Sequence, residues 1–134
     1  MTINEIQDEI IDEFVDIEDW MDRYAYIIDL GNALPAIDEK YKTEEFKVSG
    51  CQSQVWLVPL YNGSNLNFYA DSDAIMVKGI IYVLLSIYAN KSVKEIKEIE
   101  VEDFFAKLGL GEHLSPSRRN GMMSMVDKIK FYAN

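Results

Sequence analysis

Between Val77 and Tyr88 the chain reads VKGIIYVLLSIY, a run in which Lys78 and Ser86 are almost the only polar side chains. Val77, Ile80, Ile81, Leu84, Leu85 and Tyr88 recur at helical spacing and form an apolar stripe too wide for a helix lying on a surface. Such a helix must be covered on several sides, so the run predicts a central helix on which a sheet packs. The most apolar stretch, Gly79 to Ala89, is far shorter than the roughly 20 residues that span a bilayer, so no membrane segment is expected. Gly79 inside the stripe predicts close approach of another backbone. Asp71, Ser72 and Asp73 lie just upstream and are expected to supply its N-cap.

The covering elements follow from the flanking sequence. VWLVPLY and NLNFYA are strand-like runs on either side of Asn62-Gly63-Ser64, and Asn-Gly between apolar segments predicts a hairpin. Pro59 predicts an edge position or a bulge, and Trp56 is expected in the core. Near the N-terminus, Thr2 and Glu5 have capping-box spacing, with Ile3, Ile6, Ile10 and Phe14 at helical intervals behind them. A second helix is predicted from about Ile17 to Leu30, with Trp20, Tyr24, Ile27 and Ile28 on one side and Gly31 as its stop ahead of Pro35. Residues 35 to 45 read as a polar connection. After the central helix come a capped turn at Ser92 to Glu95 and a helix around Glu102 to Leu108 ended by Gly109. A last helix has Ser115 as N-cap and Pro116 at its first position. Met122, Met125, Val126 and Ile129 give that helix its buried face. Without repeats or an internal linker, the 134 residues are expected to form one α+β domain spanning 1–134.

Charge narrows the partners. Lys and Arg number 13 against 23 Asp and Glu, a net charge of −10, and Glu5 to Asp22 contains acids and no base. That run reads as a solvated helix face. It would repel phosphate backbones, so nucleic acid is not an expected partner. TINEIQDEIIDEF lacks the basic start and apolar core of a secretory signal, and a single cysteine offers no intrachain disulfide, so a cytoplasmic location is the default expectation.

The only cysteine, Cys51, lies in GCQSQVWL, between Ser49-Gly50 and Gln52-Ser53-Gln54. Short polar neighbours predict an accessible loop rather than a core position. Cys51 and His113 are the whole supply of thiol and imidazole ligands, too few for a zinc site or an iron–sulfur cluster held by this chain alone. The seven glycines are scattered singly apart from Gly109-Leu110-Gly111, so a glycine-rich phosphate loop is missing and no bound cofactor is expected. What remains is the thiol, with His113, Arg118 and Arg119 as candidate helpers. A thiolate is a good nucleophile and sulfur carrier, and nearby positive charge or helix N-terminal amides would assist its formation. The residues alone leave three options open: an unremarkable thiol, a sulfur carrier, or a cysteine hydrolase built from Cys51, His113 and an aspartate such as Asp73. His113 alone reads most simply as a capping or surface histidine.

GCQSQVWL, followed by YADSDAIMVKGI and then LGLGEHLSPSRRNGM, resembles the SufE family of cysteine desulfuration proteins. WMDRYAYIIDLGNALP in the second helix is similar to an early segment of the same family, so the likeness covers nearly the whole chain. The resemblance implies a SufE/IscU-like fold, a small antiparallel sheet packed with helices. It also implies that Cys51 accepts sulfane sulfur from a pyridoxal-phosphate-dependent cysteine desulfurase, SufS-type or a paralogue. The sulfur would then pass to an iron–sulfur scaffold complex of the SufBCD-like kind. Under it, Gly50, Gln52 and Ser53 shape the cysteine loop with Gln54, Asp73 restrains it, and Arg118, Arg119 and His113 face the partner. An allosteric adaptor that stimulates the desulfurase without carrying sulfur is the alternative.

Overall fold

The computed structural model describes residues 3–133. Helices α1 (Ile3–Val15) and α2 (Trp20–Gly31) lead through a 3-10 turn at Glu39–Tyr41 into strands β1 (Val55–Asn62) and β2 (Asn65–Ser72). Helix α3 (Ile75–Tyr88), strand β3 (Lys91–Ser92) and helices α4 (Val93–Glu98), α5 (Glu102–Leu108), α6 (Leu110–His113) and α7 (Pro116–Tyr132) complete the chain. The strands form an antiparallel sheet in the order β1-β2-β3. This is the expected α+β arrangement.

The apolar run is central, as its width requires. Val77, Ile80, Ile81, Val83, Leu84, Ile87 and Tyr88 of α3 are all buried, with β2 on one side and α2 on another. Alternation along β2 turns Leu66, Phe68 and Ala70 inward and Asn67 and Tyr69 outward, so one sheet face joins the core. Helix α7 closes this core with Met122, Met125, Val126 and Ile129. Helix α1 packs on α3 and α5, and the Tyr26 hydroxyl donates to the Glu13 carboxylate, tying α2 to it.

Two glycines allow α2 and α3 to touch backbone to backbone. A Cβ on Gly79 would overlap the Ile27 carbonyl oxygen and fall 2.6 Å from its carbon, while one on Gly31 would fall 2.6 Å from the Gly79 nitrogen. The close approach predicted at Gly79 is therefore real. Gly31 differs from expectation: it is the last residue inside α2, and Asn32 follows as C-cap, so its missing side chain serves packing rather than termination. Helix α2 also begins later than Ile17, at Trp20, because the Asp19 carboxylate accepts the Met21 N–H at 2.7 Å and caps it there.

The hairpin forms with Asn62 opposite Asn65, leaving Gly63-Ser64 as its turn, and Gly63 provides the positive φ of 62° that a two-residue connection needs. Pro59 sits on the edge strand of the order. Trp56 lies outside the core, half-buried with the Lys42 ammonium 5.4 Å from its ring, because its neighbours Val55 and Leu57 take the inward positions. Asp71 beside it pairs with Lys42 at 3.3 Å and Lys78 at 3.8 Å.

The N-cap of α3 is a correction. Ala74 occupies that position without a side-chain hydrogen bond. Asp71 is still within β2, Ser72 Oγ accepts the Ala74 N–H, and Asp73 is turned toward the segment before β1. Strand residues point alternately to opposite faces, so these three cannot all address one helix end. At the C-terminal half, Ser92 and Glu95 form a reciprocal capping box, Gly109 ends α5 at φ 74°, and Ser115 Oγ accepts the Arg118 N–H with Pro116 following. The Thr2–Glu5 capping box lies partly outside the described residues. Strand β3 and helix α6 were not expected, being too short to show a period.

Replacing Gly79 by alanine should drive α2 and α3 apart and cost about 2 kcal/mol or more, since the overlap is with backbone that cannot rotate away. Urea unfolding checks this; an unchanged midpoint would show that the helices separate freely.

Candidate functional site: the Cys51 loop and its cavity

The loop carrying Cys51 is closed at its base. Val48 donates its N–H to the Val55 carbonyl at 2.8 Å, so residues 49 to 54 leave and return at the head of β1. A second tie holds its far side: the Gln54 N–H donates to Asp73 Oδ1 at 3.0 Å, and the Asp73 N–H donates to the Gln54 carbonyl at 3.3 Å. The acid that does not cap α3 thus braces the cysteine loop instead.

Gly50 directs the sulfur inward. Its φ of 89° is in the left-handed region, and a Cβ there would stand 2.5 Å from Ser124 Oγ of α7. Cys51 Sγ comes within 3.6 Å of the Gly121 carbonyl oxygen, the direction of a weak S–H donation, and packs against the core. The residue is half-buried. The sequence reading of an open loop is corrected to that extent: the flanking side chains are polar, but the sulfur packs beside Gly121 of α7.

A cavity of about 370 Å³ opens beside the thiol. Val77 and Ile80 of α3 and Met122 and Met125 of α7 make its apolar wall; Gln52, Ser53, Ser117 and Arg118 make the polar one. Burial pushes the Cys51 thiol up from its ordinary value, so the resting group is the protonated thiol. The expected assistance from positive charge does not offset this: Arg118 is exposed at the cavity rim, where water screens its charge.

The other candidate residues divide. Arg118 borders the cavity; Arg119 and His113 do not. The His113 ring is stacked on Trp20, with centroids 3.6 Å apart and planes at 14°, while its backbone carbonyl accepts the Tyr24 hydroxyl at 2.6 Å. With the imidazole engaged there and outside the cavity lining, no Cys51–His113 dyad forms. Among the described residues no group of three or more His, Cys, Asp and Glu side chains could hold a metal ion, and no helix is long and apolar enough to cross a membrane. Sequence reasoning missed Gly121 and Ser124; the signal for the first was a glycine within an otherwise helical stretch, which calls for a packing reason.

The family model described as SufE, Fe-S metabolism associated domain, matches residues 8–133. The chain belongs to the SufE family. An uncharacterized SufE-like protein from Rhizobium etli is 46% identical over 127 residues, covering 92% of this chain and 86% of its own length. A second, from Rhizobium meliloti, is 46% identical over 127 residues, covering 92% and 91%. The fold is similar to the solution structure of a hypothetical protein from Thermus thermophilus, with a TM-score of 0.76 at 17% identity over 96% of this chain and 93% of that one. SufE membership associates the chain with Fe–S metabolism.

Because burial raises the thiol, alkylation of Cys51 by iodoacetamide should keep climbing with pH beyond the point where an ordinary thiol levels off. The sign for stability is the same: the folded state holds the proton more tightly, so this contribution is full below the unfolded thiol value and is lost as pH rises through the folded one. A rate profile levelling at or below the ordinary thiol range would contradict the assigned burial.

Proposed function

We propose that this chain is the sulfur acceptor and activator of a pyridoxal-phosphate-dependent cysteine desulfurase, SufS-type or a paralogue, and relays the sulfur to a SufBCD-like iron–sulfur scaffold complex. The observation that carries the reading is a lone, half-buried thiol at the mouth of a cavity with room for further atoms, in a chain of a family associated with Fe–S metabolism. The exchange is a displacement without net oxidation. The Cys51 thiolate attacks the outer sulfur of the donor's cysteine persulfide, a new S–S bond forms at Cys51, the donor's S–S bond breaks, and the donor leaves as a thiolate. The same step in reverse sense, onto an acceptor thiol, discharges the sulfur. The chain needs no cofactor for this, is not an enzyme on its own, and works in the cytoplasm with its partners.

Roles follow from position. Gly50 supplies the bend, Gln52 and Ser53 line the polar wall, and Asp73 tethers the loop through Gln54. Arg118, at the rim of the cavity, is the best-placed cation for a partner contact, with Arg119 beside it on the first turn of α7. His113 lies apart from the cavity lining, exposed and with its ring stacked on Trp20.

Two outcomes test this. Cys51→Ser should change stability by no more than about 1 kcal/mol yet abolish sulfur acceptance, because a hydroxyl neither attacks a persulfide at neutral pH nor extends a sulfur chain. Incubation with desulfurase and cysteine, read by mass spectrometry for one added sulfur and by sulfide release, decides the matter. If the serine variant stimulates like wild type, the allosteric adaptor replaces the sulfur carrier. Arg118→Glu should weaken stimulation several-fold, while Asp12→Ala, an exposed acid on α1, should leave it near wild type; equal effects would remove Arg118 from the contact surface.

A further inference from the structure

The cavity beside Cys51 is much larger than one sulfur atom requires. An added sulfur needs roughly the room of a water molecule, about 30 Å³, whereas the cavity measures about 370 Å³, within the range of small-molecule sites of roughly 300–1,000 Å³. Its lining is sorted by chemistry. Met122 and Met125 belong to the apolar wall, and their unbranched side chains adapt to a short aliphatic chain laid against them. Gln52, Ser117 and Arg118 belong to the polar side, with Gln52 and Arg118 exposed to solvent. Charge is sorted as well: the chain carries a net charge of −10, yet the described lining residues include one arginine and no carboxylate. Such a lining favours an anion over a cation. A nucleophilic sulfur, an aliphatic wall and a cation thus share one space of small-molecule size.

We propose that this cavity docks a low-molecular-weight thiol bearing a carboxylate, with the carboxylate toward Arg118, the aliphatic chain along the methionine wall and the sulfur at Cys51, and that the Cys51 persulfide is discharged onto it. The proposal rests on the sulfur-acceptor reading for the origin of the persulfide, and it names a second class of recipient beside the protein scaffold. The step needs no oxidant or reductant. The docked thiolate attacks the outer sulfur of the Cys51 persulfide, an S–S bond forms on the small molecule, and the S–S bond at Cys51 breaks. Cys51 leaves as a thiolate and takes up the proton that the incoming thiol lost. An outer sulfur that enters the cavity has the remaining space beyond it, so an occupant there lies near the line of the breaking bond. Arg118 is an exposed cation, so its share of the recognition is a factor of a few, and the fit to the walls supplies the rest.

The test charges Cys51 with one sulfur by treatment with polysulfide, checked by mass spectrometry, and follows its discharge in the purified chain without desulfurase. Three short thiols serve as probes: 3-mercaptopropionate, 2-mercaptoethanol and cysteamine, with an anionic, a neutral and a cationic end. The discharge rate should saturate with 3-mercaptopropionate and climb linearly with the other two over the same concentrations. Arg118→Ala should slow discharge by subsaturating 3-mercaptopropionate roughly two- to fivefold, by raising its half-saturating concentration, and leave the other two within about twofold of wild type. Comparing each thiol with itself cancels differences in intrinsic basicity. Ser117→Phe, which puts a ring on the polar side of the cavity, should abolish the saturation; Ser117 is only partly buried on the first turn of α7, and a cooperative thermal melt checks that the fold survives. If it does not, Arg118→Ala, at an exposed position, decides alone. Linear rates with all three probes, or an equal loss for all three in Arg118→Ala, would overturn the proposal. So would a Cys51 that polysulfide fails to charge, since the same cavity must admit that anion. A second arm charges the chain with desulfurase and cysteine instead: absence of sulfur on Cys51 there would sink the acceptor reading, while the preference among thiols stands or falls on the polysulfide-charged chain.

Discussion

The backbone contact between α2 and α3 at Gly31, Gly79 and Ile27 is the constraint from which the rest of the structure follows. It lets the most apolar helix of the chain be covered by another helix at the closest distance two backbones allow, leaving its remaining faces for the sheet and for α7. Had either glycine carried a side chain, α3 would sit farther out, and Val77 and Ile80 would no longer line one cavity with Met122 and Met125. Those four residues are the apolar wall of the cavity beside Cys51. The helix packing that stabilises the domain therefore also sets the shape of the site.

Electrostatically, the site is arranged to keep the thiol at rest. Burial favours the neutral form, Arg118 at the cavity rim is exposed to water, and the Gly121 carbonyl oxygen accepts a weak hydrogen bond from S–H and would repel a thiolate. A nucleophile meant to act unaided would be built the other way, with donors aimed at the sulfur. The loop is instead braced by the exposed carboxylate of Asp73, and the missing side chain of Gly50 leaves room for Ser124 of α7.

Much of the architecture was legible because it depends on periodicity and local chemistry. The width of the α3 stripe required a central helix, Asn62-Gly63 marked the hairpin, and Ser115-Pro116 marked the start of α7, each through interactions within a few residues. The misreadings share one cause, a choice among local options made by distant parts of the chain. Asp73 was assigned both to the helix that follows it and to the cysteine loop, and only the second bond forms, to Gln54 across the sheet end. Trp56 looked like core until the pleat gave the inward positions to its neighbours.

By itself, the sequence determined the fold class, the order of the main elements and, through its motifs, the family, because these depend on side-chain pattern and identity. Only the tertiary structure decided that the thiol rests half-buried against Gly121, that Arg118 and not His113 borders its cavity, and that α7 forms the wall. Gly121 lies 70 positions from Cys51 in the chain. No local rule spans that separation; the two meet because α3 and α7 pack on the same core, and where a helix comes to rest is set by all the surfaces it must cover at once.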